Sequence, residues 1–200
     1  MPYRGPKGKL SRALNLAFTP KAARIMERRN SAPGQHGAGR KRSASVYKQQ
    51  LVEKQRLKFS YNVSEAQLRK AYKKAAHLQG STGDKLLSIL ETRLDAAVLR
   101  MGFAKTIFAA RQYVAHGHFE VNGVRCFTPS IQLKPNDEIT LREKSANHLQ
   151  VKESIENAPD VPEYLSVDKN KVSGKLVAAP LREQIPVHIN EQLVVEFYSR

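Results

Sequence analysis

Apolar and polar positions alternate along the middle of the chain in a pattern that predicts three helices. Ser64 begins a Ser-Glu-Ala-Gln capping box, and apolar residues then fall at i, i+3, i+4 and i+7 across 68–75, the spacing of a helix with one buried face. Similar spacing predicts helices at 43–58 and at 81–102, the latter ending at a glycine. We interpret these stripes as core.

The pattern changes after residue 105. Thr106 is placed to cap a short helix that ends at Gly117. Alternating residues then flank an Asn-Gly pair at 122–123, which favours a tight hairpin because both turn positions need a positive φ. Residues 139–142 alternate as another strand. This part predicts two short helices followed by a small, curved antiparallel sheet.

The ends of the chain carry weaker signals. Proline and glycine are scattered through 1–42 and break regular structure, apart from a short helix at 21–28. This arm has little apolar surface, so we expect a partner to order it. Near the other end, 145–157 predicts a helix, and short strands at 164–167 and 193–197 flank a Ser-Gly turn.

The predicted fold class is α+β, in three parts. Residues 1–42 form an extended basic arm. Residues 43–90 form a helical domain, completed by a C-terminal tail at 158–200. Residues 91–157 form a small module of two short helices and a curved antiparallel sheet.

Charge is distributed very unevenly over the 200 residues. The net charge is +16, and the first 78 residues hold 19 Lys and Arg against 3 Asp and Glu, whereas the rest balance at 15 each. Such a block repels itself unless a polyanion neutralises it. A solvated tail is the weaker alternative, and a membrane-surface role is weaker still because 1–42 lacks an amphipathic apolar face. Nucleic acid is the expected partner.

Several function classes lack their sequence signatures. No run approaches the roughly 20 apolar residues of a membrane helix, and we expect no secretory signal. Phosphate-binding glycine loops, nucleophile elbows and zinc-protease motifs are missing. The single cysteine, Cys126, excludes an internal disulfide and a multi-cysteine zinc site, and we expect it to be a small buried thiol in a strand. We therefore expect no enzyme activity, cofactor, metal, small-molecule substrate or membrane contact.

One histidine pair has two readings. His116 and His118 have one carboxylate nearby, Glu120, which is too little for a metal site. They are either ordinary polar surface residues or hydrogen-bonding partners of a phosphate or a base. Neighbouring arginine and glutamine side chains favour the second reading.

Longer motifs resemble a known family. They are Arg-Leu-Asp at 93–95, Arg-Met-Gly-Phe-Ala at 100–104, Ala-Arg-Gln-Tyr-Val-Ala-His-Gly-His at 110–118, Val-Asn-Gly at 121–123, Pro-Ser at 129–130 and Leu-Lys-Pro at 133–135. Together they resemble the RNA-binding module named after small-subunit ribosomal protein S4. Pro-Gly-Gln-His-Gly at 33–37, Pro-Glu-Tyr-Leu at 162–165 and the segment 191–200 resemble the flanks of that family, so the resemblance spans essentially the whole chain.

The resemblance implies a structural, ribonucleoprotein role in translation. Family members bind small-subunit ribosomal RNA where several RNA helices meet, and they act early in ribosome assembly in the cytoplasm or an organelle. It also implies contact with ribosomal protein S5 and other small-subunit proteins, an effect on decoding accuracy, and proximity to mRNA at its entry channel. Many members carry four N-terminal cysteines as a zinc site. Here Lys9 and Ser11 lie in the first of those segments and 24–31 has no thiol, so RNA contact and packing must order the arm.

Matched positions and the charge pattern give the candidate RNA-binding residues. Within the module the resemblance selects Arg93, Thr106, Arg111, Gln112, His116, His118 and Asn122, and within the arm Gln35, His36, Arg40, Lys41 and Arg42. The remaining candidates are cations: Arg4, Lys7, Lys9, Arg12, Arg28, Arg29, Lys48, Arg56, Lys58, Arg69, Lys70, Lys73, Lys74, Lys105 and Lys134.

Two other functions use the same module. An RNA-modifying or tRNA-charging enzyme needs a separate catalytic domain, and a chain this short leaves no room for one of about 100 residues or more. An RNA chaperone or heat-shock factor typically lacks the 33–37 signature and the long flanks. A ribosomal protein is the preferred reading.

Overall fold

The computed structural model describes residues 3–39, 43–145, 149–169 and 171–200. These form two compact units. Unit one extends to Gly83 and includes Val187–Arg200, and unit two is Asp84–Pro186. The predicted division differs, because it assigned the whole of 158–200 to the helical part.

Within the described residues the helices are α1 (Lys7–Leu14), α2 (Pro20–Arg28), α3 (Val46–Ser60), α4 (Glu65–Ala76), α5 (Thr82–Glu91), α6 (Leu94–Arg100), α7 (Ile107–Ala115), α8 (Leu149–Glu156) and α9 (Glu191–Tyr198). The strands are β1 (Phe119–Val121), β2 (Val124–Arg125), β3 (Glu138–Leu141), β4 (Leu165–Asp168) and β5 (Ser173–Leu176). An α+β fold is confirmed.

Local side-chain hydrogen bonds begin the helices at predicted places. The Ser64 hydroxyl accepts from the Gln67 N–H at 3.3 Å, and the Gln67 side-chain oxygen accepts from the Ser64 N–H at 3.2 Å, which confirms the capping box of α4. The Thr19 hydroxyl accepts from the Ala22 N–H at 3.1 Å and begins α2. Each cap satisfies backbone donors that a helix start leaves unpaired.

The arm contains more structure than its composition predicts. α1 was not predicted, yet its Ser11 and Leu14 are buried. The Arg56 guanidinium of α3 donates to the Leu14 carbonyl at 2.8 Å, and the Tyr3 N–H donates to the Asn62 side chain at 3.2 Å. The described part of the arm thus folds onto α3, which supplies the apolar and polar surface that the arm itself lacks.

The predicted single helix at 81–102 is wrong, because it is interrupted between α5 and α6. Backbone at the break pairs sideways: the Leu94 N–H donates to the Ile131 carbonyl at 2.9 Å, and the Leu133 N–H donates to the Thr92 carbonyl at 2.8 Å. Arg93 also forms an isolated antiparallel bridge with Gln132. These bonds replace one turn of helix, so apolar periodicity alone did not reveal the break.

The sheet of unit two is antiparallel, in the order β2-β1-β3-β5-β4. The hairpin predicted at Asn122-Gly123 is confirmed, with Val121 opposite Val124 and φ of +52° and +76° at the turn. Tail strands β4 and β5 extend this sheet by pairing β5 with β3, Gly174 opposite Ile139. The predicted Ser-Gly turn at 173–174 is wrong, since both residues lie inside β5.

Two further expectations need correction. The segment 193–197 lies in helix α9, not in a strand, because the Asn190 side chain accepts from the Leu193 N–H at 3.3 Å and caps it. Cys126 follows β2 and is half-buried, not buried within a strand. The core of unit two lies between α6, α7 and the sheet, where the rings of Phe103 and Phe119 stack 5.9 Å apart.

Candidate nucleic-acid interface

The structure separates the sequence-predicted residues by exposure. Those that are exposed are Arg4, Lys9, Arg28, Arg29, Gln35, His36, Lys48, Arg69, Lys70, Lys73, Lys74, Lys105, Gln112, His116, Asn122 and Lys134. Those that are half-buried are Lys7, Arg12, Arg56, Lys58, Thr106, Arg111 and His118, and Arg93 is buried. Arg40, Lys41 and Arg42 lie outside the described residues.

Among the described residues of unit one, exposed positive charge is densest on α4. Arg69, Lys70, Lys73 and Lys74 are all exposed, whereas Leu68 and Ala75 of the same helix are buried. Residues three and four apart are neighbours on a helix surface, so the four cations form one strip along the helix. Lys73 and Lys74 lie in its last turn, where the helix dipole favours positive charge. We call these four residues the α4 strip.

Some predicted cations of α3 have internal partners. Arg56 pairs with Glu53 as well as with the Leu14 carbonyl. Lys58 lies 3.3 Å from the Glu65 carboxylate, which also accepts from buried Lys54 at 3.0 Å. Glu53 lies three residues before Arg56 on the same helix, so that pairing was visible in the sequence. Glu65 lies on α4, and the pairing of Lys58 with it depends on how the two helices meet.

The Glu65 carboxylate is a polar centre of unit one. Burial opposes its ionisation, but hydrogen bonds from Tyr198 at 2.7 Å and from Lys54 outweigh burial and lower the pKa of Glu65. The same environment, burial first and then the bond to Glu65, raises the pKa of Tyr198. The contact joins the start of α4 to α9 and so orients the helix that carries the α4 strip.

Arg12 holds the segment that carries the predicted residues Gln35 and His36. Its guanidinium donates to the Ser31 carbonyl at 2.9 Å and to the Ala32 carbonyl at 3.2 Å. Both bonds leave Gln35 and His36 exposed on the turn that follows.

This turn depends on glycine. A Cβ at Gly37 would lie 1.8 Å from the Ala32 carbonyl oxygen, and Gly34 has a φ of +100°. The close approach at Gly37 explains the glycine of the Pro-Gly-Gln-His-Gly motif in steric terms.

In unit two a buried carboxylate holds two of the predicted arginines. Asp95 is fully buried and accepts from Arg93 at 2.9 and 2.7 Å, and from Arg111 at 3.1 Å. Burial lowers the pKa of the Arg111 guanidinium, and Asp95 opposes that shift. Because Arg93 is buried in this pair, it fixes Asp95, while half-buried Arg111 is the member nearer to solvent.

Helix α7 presents a small polar face. Gln112 and His116 are exposed and four residues apart, so they share one side of the helix. The His116 and His118 rings lie 6.0 Å apart, and His118 Nδ1 lies 2.9 Å from the Ser145 hydroxyl. The Thr106 hydroxyl is used in the cap of α7, where it accepts from the Ala109 N–H at 3.2 Å.

Two predicted residues near the hairpin turn, Asn122 and Lys134, make hydrogen bonds that stabilise turns. The Asn122 side chain accepts from the Glu138 N–H at 2.9 Å and donates to Asp137 at 2.9 Å. The backbone N–H of Lys134 donates to the Asp137 carboxylate at 2.7 Å. The Lys134 residue is exposed. Lys105 pairs at 2.9 Å with Glu153, and both side chains are half exposed, so the pair is weak and a polyanion competes with it easily.

Sequence reasoning missed Arg125. Its guanidinium donates to the carbonyls of Gly117 and His116 at the end of α7, at 3.1 and 3.3 Å, and lies 4.3 Å from the centroid of the exposed Phe127 ring. A basic residue two positions before an aromatic one, directly after the predicted Asn-Gly turn, was the available signal.

Over the described residues, no group of three His, Cys, Asp or Glu side chains is arranged to hold a metal ion. Over the same residues, none of the helices has the length and apolar character needed to cross a membrane. The described surface offers cations, amides and planar rings, which are groups suited to phosphates and bases.

Two models of known protein families match consecutive parts of the chain, together more than two thirds of it. The model described as "Ribosomal protein S4/S9 N-terminal domain" matches residues 2–91. The model described as "S4 domain" matches residues 92–139. The second match contains α6, α7 and the hairpin.

Whole-length relatives are similar throughout. The small ribosomal subunit protein uS4 of Streptomyces avermitilis is 50% identical over 199 residues, covering 98% of this chain and 97% of its own. The protein of the same name from Chlorobium phaeobacteroides is 46% identical, and the match covers 99% of this chain and 98% of that protein. The one from Bifidobacterium adolescentis is 47% identical, and the match covers 96% of this chain and 95% of that protein.

Proposed function

Because the chain belongs to the ribosomal protein S4 family, we propose that it is a structural constituent of the small ribosomal subunit and binds small-subunit ribosomal RNA. The proposal is binding without turnover, and the family is a structural, non-enzymatic one. The names of the relatives support the ribosomal assignment, and their bacterial sources support a place in ribosomes of the cytoplasm.

The observation that carries the proposal is the exposed cationic surface of unit one. The entire net charge of +16 lies within the first 78 residues, and the α4 strip exposes four cations along one helix face. Neutralising RNA phosphates releases condensed counterions, which is the main source of affinity in such complexes. We propose that the α4 strip and the exposed cations of the arm bind phosphates.

Unit two is proposed to contribute shape recognition. A-form RNA offers little sequence code in its deep groove, so a small module reads backbone geometry and unpaired bases. Arg111, Gln112 and His116 are the side chains proposed for this role, with Arg93 acting through Asp95 to hold Arg111 in place.

The finer roles follow from the family and are also proposals. We propose that the RNA site is a junction of several helices, that binding there nucleates assembly of the subunit body, and that ribosomal protein S5 is a neighbour. Exposed Val46 and Tyr47 at the start of α3 offer an apolar surface for such a protein contact. Proximity to mRNA and an effect on decoding accuracy belong to the same proposal.

Footprinting tests the RNA assignment. The full chain is bound to full-length small-subunit ribosomal RNA of the same organism, with an unrelated structured RNA as competitor. Protection confined to one multi-helix junction and resistant to competitor is the expected result. Diffuse protection that competitor removes would overturn the proposal and indicate a general polyanion binder.

A further inference from the structure

An aromatic ring and a guanidinium are stacked at one edge of the sheet of unit two. Among the described strands, β2 pairs only with β1. Phe127, two residues after it, is 51% exposed, and the Arg125 guanidinium lies 4.3 Å from the centroid of its ring. A single exposed apolar residue needs no explanation, so the argument depends on how this one is held.

The pair is fixed in place by the end of α7. Arg125 Nε donates to the Gly117 carbonyl at 3.1 Å and Nη2 donates to the His116 carbonyl at 3.3 Å. Gly117 has a φ of +70°, and a Cβ there would lie 2.6 Å from both Arg125 Nε and the Phe127 ring. The ring and guanidinium therefore rest directly on the backbone at Gly117, which only glycine allows.

This surface adjoins residues already assigned to RNA. His116, whose carbonyl accepts from Arg125, is itself exposed, and Gln112 is exposed one turn earlier on α7. A hydrogen-bonding imidazole, an amide, a planar cation and an aromatic ring thus lie around the end of one helix. Those groups match what an unstacked base presents, namely polar edges and a flat π-face.

We propose that Arg125 and Phe127 form a stacking platform for an unpaired base of the RNA. The inference rests on the proposed function and adds a binding site to it. Aromatic and guanidinium planes both stack on bases, and the positive charge suits a polyanion. A protein strand added to this edge is the less favoured occupant, because β2 has only two residues and offers few backbone hydrogen bonds.

Phe127→Ala in the full chain, measured on the small-subunit ribosomal RNA of the same organism, is the first test. Loss of stacking should weaken binding by about 5- to 150-fold. The slope of log K against log salt should not change, because no phosphate contact is lost. Val124→Ala is the matched control, since Val124 is 67% exposed on β2, just before Phe127, and the change should leave the affinity unchanged.

Phe127→Trp supplies a second readout that folding defects do not imitate. The chain has seven tyrosines and no tryptophan, so the new indole is the only tryptophan and can be excited selectively at wavelengths that tyrosine does not absorb. It should keep wild-type affinity and lose fluorescence when the ribosomal RNA is added, but not with a fully paired RNA duplex. The base that stacks there should become reactive to chemical probes in the Phe127→Ala complex only.

The remaining outcomes overturn the proposal. Unchanged affinity of Phe127→Ala, a changed salt slope, or no quenching of Phe127→Trp would show that the ring is not a base platform. Quenching by ribosomal protein S5 instead of RNA would identify a protein contact. In each of these cases the proposed function still stands if the wild-type chain binds the ribosomal RNA specifically. If the wild-type chain itself does not bind that RNA specifically, the proposed function is contradicted.

Discussion

The Arg12 guanidinium donates a hydrogen bond to the Ser31 carbonyl at 2.9 Å and so joins α1 to the segment that follows α2. It also donates to the Ser31 hydroxyl and to the Ala32 carbonyl, and these bonds fix the start of the turn that carries Gln35 and His36. The resemblance implies a cysteine zinc site near the N-terminus in many family members, and this chain has no cysteine there. In this chain the planar guanidinium of Arg12 joins α1 to the segment after α2 through neutral acceptors, two carbonyls and one hydroxyl.

Arg12→Ala should loosen this turn. Without the guanidinium, the Ser31 and Ala32 carbonyls lose their hydrogen-bond donor. We therefore expect faster amide hydrogen exchange over 31–39 and weaker protection of the RNA where Gln35 and His36 contact it. Arg12→Lys should rescue only partly, because one ammonium cannot reproduce the planar fork. Arg28→Ala is the control, since it removes the same charge from an exposed position on α2. Equal exchange in both alanine variants would contradict the role given to Arg12.

The buried Asp95 should matter more for stability than Arg111. Asp95→Ala leaves Arg93 buried without its carboxylate, and loss of one partner of such a pair costs about 3–5 kcal/mol of unfolding free energy. Arg111→Ala should cost much less, because Arg111 retains partial exposure, yet it should weaken RNA binding. Denaturant melts and RNA titrations of both variants measure the two effects. If Arg111→Ala no longer unfolded cooperatively, Arg111 would have a structural role instead of an RNA-binding one.

Elements whose determinants are local were predictable from sequence. The capping box at Ser64 and the Asn122-Gly123 turn each depend on two or three neighbouring residues, and both formed as expected. The break at Thr92 and Arg93 depends on backbone bonds to residues near 131, about forty positions away. Apolar spacing carries no information about such a partner.

The candidate site divides in the same way. Exposure of the α4 strip follows from helical periodicity, so the sequence predicted it. The pairing of Lys58 with Glu65, the burial of Arg93 against Asp95, and the Arg125–Phe127 stack depend on which side chains the fold brings together. Charge alone could not sort these cations into structural and exposed ones.

Acid should destabilise unit one through Glu65. Its pKa is lowered in the folded state because bonds from Tyr198 and Lys54 outweigh burial. A carboxylate with a lowered folded pKa adds stability above its unfolded pKa, and that stability is lost as pH falls through the folded value. Unfolding free energy should therefore fall below about pH 5. Denaturant melts of Glu65→Gln should show a shallower fall, and an identical pH profile would contradict this assignment.

The α4 strip should govern the salt dependence of RNA binding. If the whole chain neutralises about eight phosphates, log K should fall with log salt at a slope of roughly −5 to −7, and a wild-type slope shallower than about −2 would contradict phosphate binding. Replacing Lys70 and Lys73 together by glutamine should reduce the slope by about 2, because each phosphate contact contributes about 1. Glutamine has nearly the helix propensity of lysine, so α4 should persist.

Lys171→Gln supplies the matched control for that pair. Lys171 is exposed next to β5 in unit two and was not predicted to bind RNA. It should therefore keep the wild-type slope in the same filter-binding titrations. A slope lowered equally by Lys171→Gln and by each single α4 change would show that net charge, rather than a defined surface on α4, sets the affinity.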